Sequence, residues 1–591
     1  MHTFRTQRLR RSRALLLAIA CAWPTAADMK VRTTAEAGQT PGAGQTLAAA
    51  QTANTQESRR SAADRHRQQG IVFVGEGNLQ QASIEIRAAL ALDPDNAVSH
   101  DSMGVILGEW GQPDAAAAEF REAIRLDARL PEARLHLGLA LERTGNTRDA
   151  LAEYREALRL NPALLEARYG LSSVCASIGD RDGAIAMLRF VVKGLPQLAD
   201  ARYNLGLNLW NRYKHSAGLK HHEDLDEAVD QLKAAAQLQP REAALHFALG
   251  QLLAERQDLA PAVEQLQAAL GLATGNPEYA YGLGLVLRLQ GDFDAAEAQF
   301  RAAIRAKPDH ALARRALGLI LRQKGDFDAA ATELRRSIAD ARDDAQTHHI
   351  LGTVLLKLNR PAEALDELRE ATRLDPSLVE ARVILAQTLA KTGQREDARR
   401  EQEAIQRVNA ENADVGRTLV LLQTGSERVK KGDVKGAIAE LREAVALSPS
   451  FPEAHYQLGV ALQQSDADAS EIETAFRRVL QLNPDHALAR LQLGRVLAGR
   501  GDTGGAMAEL REATALAPGL VEGYRALARL ALEARNPNAA IRALQDVVIW
   551  KPDDADAHYD LAITLKAAGD LDEAARELAI AQRLKPARRI P

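Results

Sequence analysis

PEYAYGLGLVLRLQGDFDAAEAQFRAAIRAKPDH, residues 277–310, carries the pattern that decides the fold. Leu283 and Leu287 lie one helical turn apart before Gly291-Asp292, and Ala296, Phe300 and Ala303 keep helical spacing after it. The segment reads as two short amphipathic helices joined by a tight turn. Gly291 suits the left-handed end of the first helix, and Asp292 suits the cap of the second. Pro308 ends the second helix, because it has no N–H to continue the ladder. Gly284 sits inside the first helix, where glycine costs about 1 kcal/mol relative to alanine, so a neighbour must approach there too closely for a side chain.

The same order of residues recurs outward in both directions. Leu137-Gly138, Ala150, Tyr154 and Pro162 give one further copy, and Leu351-Gly352, Ala364, Leu368 and Pro376 another. Apart from insertions of ten, five and one residues, the register from 63 to 588 is fifteen units of 34. In this order and period the chain resembles the tetratricopeptide repeat. The resemblance implies an all-α fold, an α-α superhelix (solenoid) of stacked antiparallel helix pairs. No single pair can bury its apolar face alone, so stacking makes one continuous core. It also implies a concave face built from first helices.

The departures set the domain plan. Residues 1–27 read as a signal peptide, and 28–62, rich in Ala, Thr, Gln and Gly, as a disordered tether. Repeats one to ten occupy 63–412, with an insertion around Tyr213 to Glu223 in repeat five. Repeat ten ends in a polar helix carrying Arg399, Arg400, Glu401, Gln402 and Glu403, which resembles a solvating cap. Residues 413–417 form a junction, either between two arrays or at a change of pitch in one. Repeats eleven to fifteen follow at 418–588, and 589–591 is a tail. Repeat fifteen, with Leu571, Ala574, Leu578 and Ala581, has no further helix to cover it, so its outer side is expected to favour self-association or partner docking.

In 591 residues, 75 basic and 79 acidic side chains leave a net charge of −4, which argues against nucleic acid as a partner. The export reading rests on Arg5, Arg8, Arg10, Arg11 and Arg13, the apolar run Ala14 to Trp23, and the small residues Thr25 and Ala27, with cleavage near Asp28. An exported chain would be periplasmic or extracellular. A lipid anchor at Cys21 is the alternative tie to a membrane, although Ala18 stands where the lipoprotein box prefers Leu. Cys175 is then the remaining thiol and reads as a small buried apolar residue.

Catalytic chemistry finds no footing in the pattern. His66, His100, His246, His348, His455 and His558 all occupy the fourth place of a unit, where other units have Arg134, Arg168, Arg202 or Arg314. They belong to the repeat. There is no phosphate-binding glycine loop, nucleophile elbow or zinc helix, so no enzyme activity, cofactor or metal is expected. His215, His221, His222, Glu223 and Asp224 are the one ligand-rich cluster, and read as a solvated loop. Asp466, Asp468, Ser470 and Glu473 lack the glycine of a calcium loop.

What remains is binding of an extended peptide or a protein surface. The fifth place of the unit is aromatic in four successive repeats, Tyr169, Tyr203, Phe247 and Tyr281, and Asn204, Asn208, Trp210 and Asn211 share the helix of Tyr203. In the family that place faces the concave side, so these eight residues are the groove candidates, with packing between repeats as the competing reading of the rings. The family's clamp for acidic chain termini is absent, because the ninth places hold Ser173, Leu207, Gln251 and Leu285. The expected role is a non-catalytic scaffold in the cell envelope. The alternatives are a regulatory or targeting subunit of a separately encoded enzyme such as a glycosyltransferase, and a component of polysaccharide-export assembly.

Overall fold

Helices of 12 to 17 residues alternate with short turns along almost the whole chain, and no strand occurs among the described residues. The computed structural model describes residues 43–215 and 222–585, with the side chains of 43–56 and 222 excepted. The leader expected at 1–27, Cys21, the start of the tether and the 589–591 tail therefore lie outside the described residues.

The turn chemistry is as the residue types require. Gly291 takes φ +85°, and the Asp292 carboxylate accepts from the Ala295 N–H at 3.0 Å. Asp326, Asp433, Asp502 and Asp570 cap their helices in the same way. A Cβ on Gly284 would stand 2.6 Å from Cε1 of Phe300, the ring that fills the space between the paired helices. The core follows from these contacts: Ala296, Phe300 and Ala303 are fully buried, as are Ala150, Tyr154 and Ala157 in an earlier unit.

The fourth place explains its histidines and arginines. In nine repeats the side chain there bonds the residue nineteen places on: His66 with Glu85, His100 with Glu119, Arg134 with Glu153, His246 with Gln265, Arg314 with Glu333, His348 with Glu367, Arg382 with Glu401, Arg490 with Glu509 and His558 with Glu577. Many also donate to the carbonyl six residues back, such as His246 to Pro240 and Arg382 to Pro376. One cationic or imidazole group thus ties the two helices of its own unit to the closing turn of the previous one. Arg202 keeps the arrangement across the insertion by reaching Gln231 at 2.8 Å, ten residues later than the rule.

By its internal contacts the chain forms two units, one comprising residues up to Gly194 with those from Ile541 onward, the other Leu195–Ala540. In the first unit, helices distant in sequence meet. Asp546, 7% exposed, lies 3.0 Å from Nη2 of Arg159 and 3.9 Å from Nε of Arg155. Arg168 donates from Nη1 to the Ile549 carbonyl at 2.7 Å and from Nη2 to the Pro162 carbonyl at 3.1 Å. Its partner nineteen places on is Met187, a thioether rather than a carboxylate, which leaves the guanidinium to the distant carbonyl. Burial pushes Arg168 down to about 10.

Three expectations need correction or refinement. The helix of repeat one already runs at Ala43, the first described residue, so residues 43–62 are helical rather than a disordered tether; their Ala and Gln are good helix formers, and the helix has the folded first unit to grow from. The junction at 413–417 is not a break. A single 36-residue helix, Arg395–Lys430, joins the second helix of repeat ten to the first of repeat eleven, because no proline or turn glycine stands where the other units close. The repeat-five insertion is spent partly on lengthening both its helices, Ala199–His215 and His222–Leu238, to 17 residues each.

Candidate binding surface

Along Ala199–His215 the helical period divides the groove candidates into two groups. Tyr203 and Trp210, seven residues apart, are 6% and 9% exposed, while Asn204 and Asn208 are half-buried and Asn211 is exposed. The indole N–H of Trp210 donates to Glu255 of repeat six, and the Lys214 ammonium lies over its ring at 3.6 Å from the centroid while pairing with Glu255 at 3.5 Å. Trp210 is therefore a packing residue tied to repeat six, and, against the expectation for the groove, it and Tyr203 are buried and leave little surface for a ligand. Asn208 turns its amide N–H to the Asn204 carbonyl at 2.8 Å, within its own helix. Arg212 grips Asp224 with two hydrogen bonds of 2.6 and 2.7 Å, which fixes the base of the insertion and occupies a carboxylate of the ligand-rich cluster.

The rings of the later repeats do two jobs. Phe247, half-buried, stacks on Tyr279 of the next repeat at 4.6 Å between centroids and covers Gly282, where a Cβ would be 2.7 Å from its Cε2. Tyr281, also half-buried, lies 6.0 Å from Phe300 and 5.1 Å from His310, and its partial burial raises the phenol above its ordinary value. Tyr456 repeats that geometry with Phe476 and His486 at 6.0 and 4.9 Å. Packing, on the next repeat for Phe247 and within the same repeat for Tyr281 and Tyr456, thus takes part of each ring and leaves the rest exposed. Tyr169, in the other unit, is half-buried as well. Phe247 and Tyr281 stand at matching places on consecutive first helices, as the register requires. The fourth-place network and the packing of Trp210 were not read from the sequence, although a Glu nineteen places after eight of the fourth-place His and Arg residues was visible there.

No group of three or more His, Cys, Asp or Glu side chains able to hold a metal occurs among the described residues. Asp468, of the segment compared with a calcium loop, caps its helix by accepting from the Ser470 N–H at 3.0 Å. Cys175 is fully buried, and burial raises its thiol well above the ordinary value, which makes it unreactive.

Sequence models described as tetratricopeptide repeat match residues 104–164, 139–197, 220–277, 281–345, 351–412 and 473–521, and again 531–589; a further TPR repeat model matches 425–466. Among solved structures, YrrB, described as a TPR protein with an unusual peptide-binding site, is 24% identical over 33% of this chain and 96% of its own, with a TM-score of 0.30. MamA from Desulfovibrio magneticus RS-1 is 24% identical over 29% of this chain and 98% of its own, at 0.27. The APC/C hetero-tetramer Cut9-Hcn1 contains a chain 16% identical over 85% of this one and 96% of its own, at 0.30. A search of curated proteins gave no match.

Proposed function

This chain belongs to the tetratricopeptide repeat family, and from that premise we propose that it is an exported, non-catalytic scaffold that holds an extended peptide or protein surface along the first helices of repeats five to seven. The observation that carries the reading is the pairing of fixed and accessible groups. Trp210 is buried and locked by Glu255 and Lys214, Phe247 and Tyr281 are packed against other rings yet only half-buried, and the Asn211 amide stands exposed on the helix that Trp210 anchors. Rigid rings lose little rotamer entropy when they are covered, and an amide can both donate to and accept from a peptide backbone.

Export is supported by the arginines at positions 5 to 13, the apolar run from Ala14 and the small residues at Thr25 and Ala27. On this reading the scaffold works in the cell envelope, and sequencing the N-terminus of envelope-fraction protein tests it: a start near Asp28 supports processing, and an intact Met1 in the cytosol defeats it.

The binding surface is tested by capturing partners from an envelope extract with the wild-type chain and with Asn211→Ala/Tyr281→Ala. Loss of the captured protein by about 2 kcal/mol or more, at unchanged helicity and melting temperature, marks these side chains as anchors. A variant that melts earlier yet captures its partner normally shows that Tyr281 serves packing alone and sinks the surface.

A further inference from the structure

Two fourth-place histidines, His348 of repeat nine and His558 of repeat fifteen, meet acceptors with both ring nitrogens. His348 has Nδ1 2.6 Å from a Glu367 carboxylate oxygen and Nε2 3.1 Å from the Arg342 carbonyl. His558 has Nδ1 against the Glu577 carboxylate and Nε2 3.0 Å from the Pro552 carbonyl. A carbonyl and an ionised carboxylate only accept, and a neutral imidazole carries a single N–H. Both bonds are therefore made together only by the imidazolium. A neutral ring must turn its lone pair on one of the two acceptors, and at 7% and 5% exposure water has little room to stand between them.

The place itself is built for a cation. Arg382 of repeat ten spans the same two acceptors, with Nε donating to the Pro376 carbonyl at 2.7 Å and Nη1 to Glu401 at 2.6 Å, and Arg490 does the same with Pro484 and Glu509. Arginine keeps its proton at any ordinary pH, whereas histidine gives it up. His246 of repeat six is the silent case: its Nδ1 meets the Gln265 amide, which can turn its NH2 to the ring, so a neutral imidazole is satisfied there. His100 also faces a carboxylate and a carbonyl, but its side chain is 17% exposed against 8% for His348 and 6% for His558, so water can replace a lost partner.

We propose that His348 and His558 are proton-operated joints: charged, each ties its repeat to the closing turn before it, and neutral, each lets go of one side, so that the joint loosens as pH rises. The groups around each ring fit this role. Among the described residues the charged groups acting on His348 are Glu367 and Glu370, both on Pro361–Leu374, and the bond to Glu367 raises the imidazole against its desolvation. His349, beside it, answers instead to burial, which lowers it, and to Glu380 and Arg322, so it takes up its proton further towards acid. On His558 burial opposes the charge, but the bonds to Glu577 and the Pro552 carbonyl, with Asp554 at the cap of the same helix, outweigh it and this ring is raised too. Each joint is thus fully held below the free value near 6.5 and released as pH climbs through the raised one. Repeats closed by arginine stay shut over that range. Neither joint uses a residue of the proposed peptide surface.

Amide exchange of the full chain, followed by mass spectrometry from about pH 6.5 to 9, tests the proposal. Repeat five, closed by Arg202 on the Pro196 carbonyl and Gln231, is the internal reference that cancels the intrinsic pH dependence of exchange. Protection of Ala345–Lys357 and Ala555–Ala568 relative to Ala199–His215 should fall with pH, about tenfold for each unit by which the NMR midpoint of the ring in the folded chain exceeds that of a free imidazole. His348→Arg, which gives repeat nine the group that repeats eight and ten carry, should flatten the fall in Ala345–Lys357 and leave that in Ala555–Ala568. Glu367→Gln, which copies the pair of repeat six, should flatten it as well. Protection in both helices that keeps pace with repeat five across the range, or a fall in Ala345–Lys357 that survives His348→Arg, would overturn the proposal.

Discussion

Replacing Asp546 by alanine should loosen one place in the first unit without unfolding the array. Asp546 is 7% exposed and is the shared counter-ion of Arg159, at 3.0 Å, and Arg155, at 3.9 Å. Burial pushes the Arg155 guanidinium below its ordinary value and Asp546 opposes that shift, so the carboxylate is what keeps a desolvated charge tolerable there. Removing one partner of a fully buried pair costs about 3–5 kcal/mol. Here Arg159 keeps Glu156 at 2.6 Å and is itself 20% exposed, which brings the expected loss to about 2–3 kcal/mol. Repeats contact mainly their neighbours, so the loss appears as local opening rather than a lower global stability. Amide exchange in Thr147–Leu160, Leu165–Ile178 and Pro537–Trp550 should speed up by roughly 30- to 150-fold, at about 1.4 kcal/mol per tenfold, with repeats six to nine unchanged. Met187→Glu reaches the same place from the other side. It gives Arg168 the carboxylate that eight other repeats provide, draws the guanidinium away from the Ile549 carbonyl, and should speed exchange in Pro537–Trp550 while Leu165–Ile178 stays protected. If neither variant alters exchange in Pro537–Trp550, the contact contributes nothing and the reasoning fails.

Other consequences follow from single sites. The Glu367 carboxylate, 2.6 Å from His348, holds the imidazole above its usual value against the desolvation that opposes it. The fold therefore favours imidazolium, so this contribution is full below the unfolded value near 6.5 and fades as pH rises through the raised one; a His348 NMR midpoint that does not fall in Glu367→Gln would refute the pairing. His310 behaves oppositely, because burial is the largest influence on it and lowers its value, so its midpoint should lie below that of His348 in the same titration. Gly284→Ala pushes a methyl to within 2.6 Å of Phe300 and should destabilise its repeat by about 1–3 kcal/mol, measured by local exchange. Gly416→Ala meets nothing inside the chain and should stabilise the long helix by up to about 1 kcal/mol, so faster amide exchange in Arg395–Lys430 would contradict it.

The repeat itself was legible because its punctuation is chemical. A glycine that must admit a ring, an aspartate that must cap, and a proline that must stop a helix each restrict the chain locally, and the structure uses Gly284, Asp292 and Pro308 in those ways. Reading the fourth-place histidines as part of the repeat was sound for the same reason, although the carboxylate nineteen residues on, which explains them, was visible and not connected to them. The groove candidates were harder to read because a half-buried ring serves packing and recognition with the same atoms: Phe247 leans on the following repeat and Tyr281 on His310 at the end of its own, and only the part left over can meet a ligand. Two misreadings and one contact that the sequence reading did not foresee share a cause. Residues 43–62, the 413–417 junction and the release of Arg168 are all places where an expected signal is missing: no folded context in the window, no closing proline, no acid at position 187. An absent stop lets a helix run on, because each further residue adds a hydrogen bond without a new nucleation cost. An absent acid, in a buried setting where a guanidinium must find acceptors, sends that group to the next one within reach, here the Ile549 carbonyl. In a chain of near-identical units the departures from the consensus therefore locate the long-range contacts, and Met187 is the residue from which the tie between Leu165–Ile178 and Pro537–Trp550 could have been inferred.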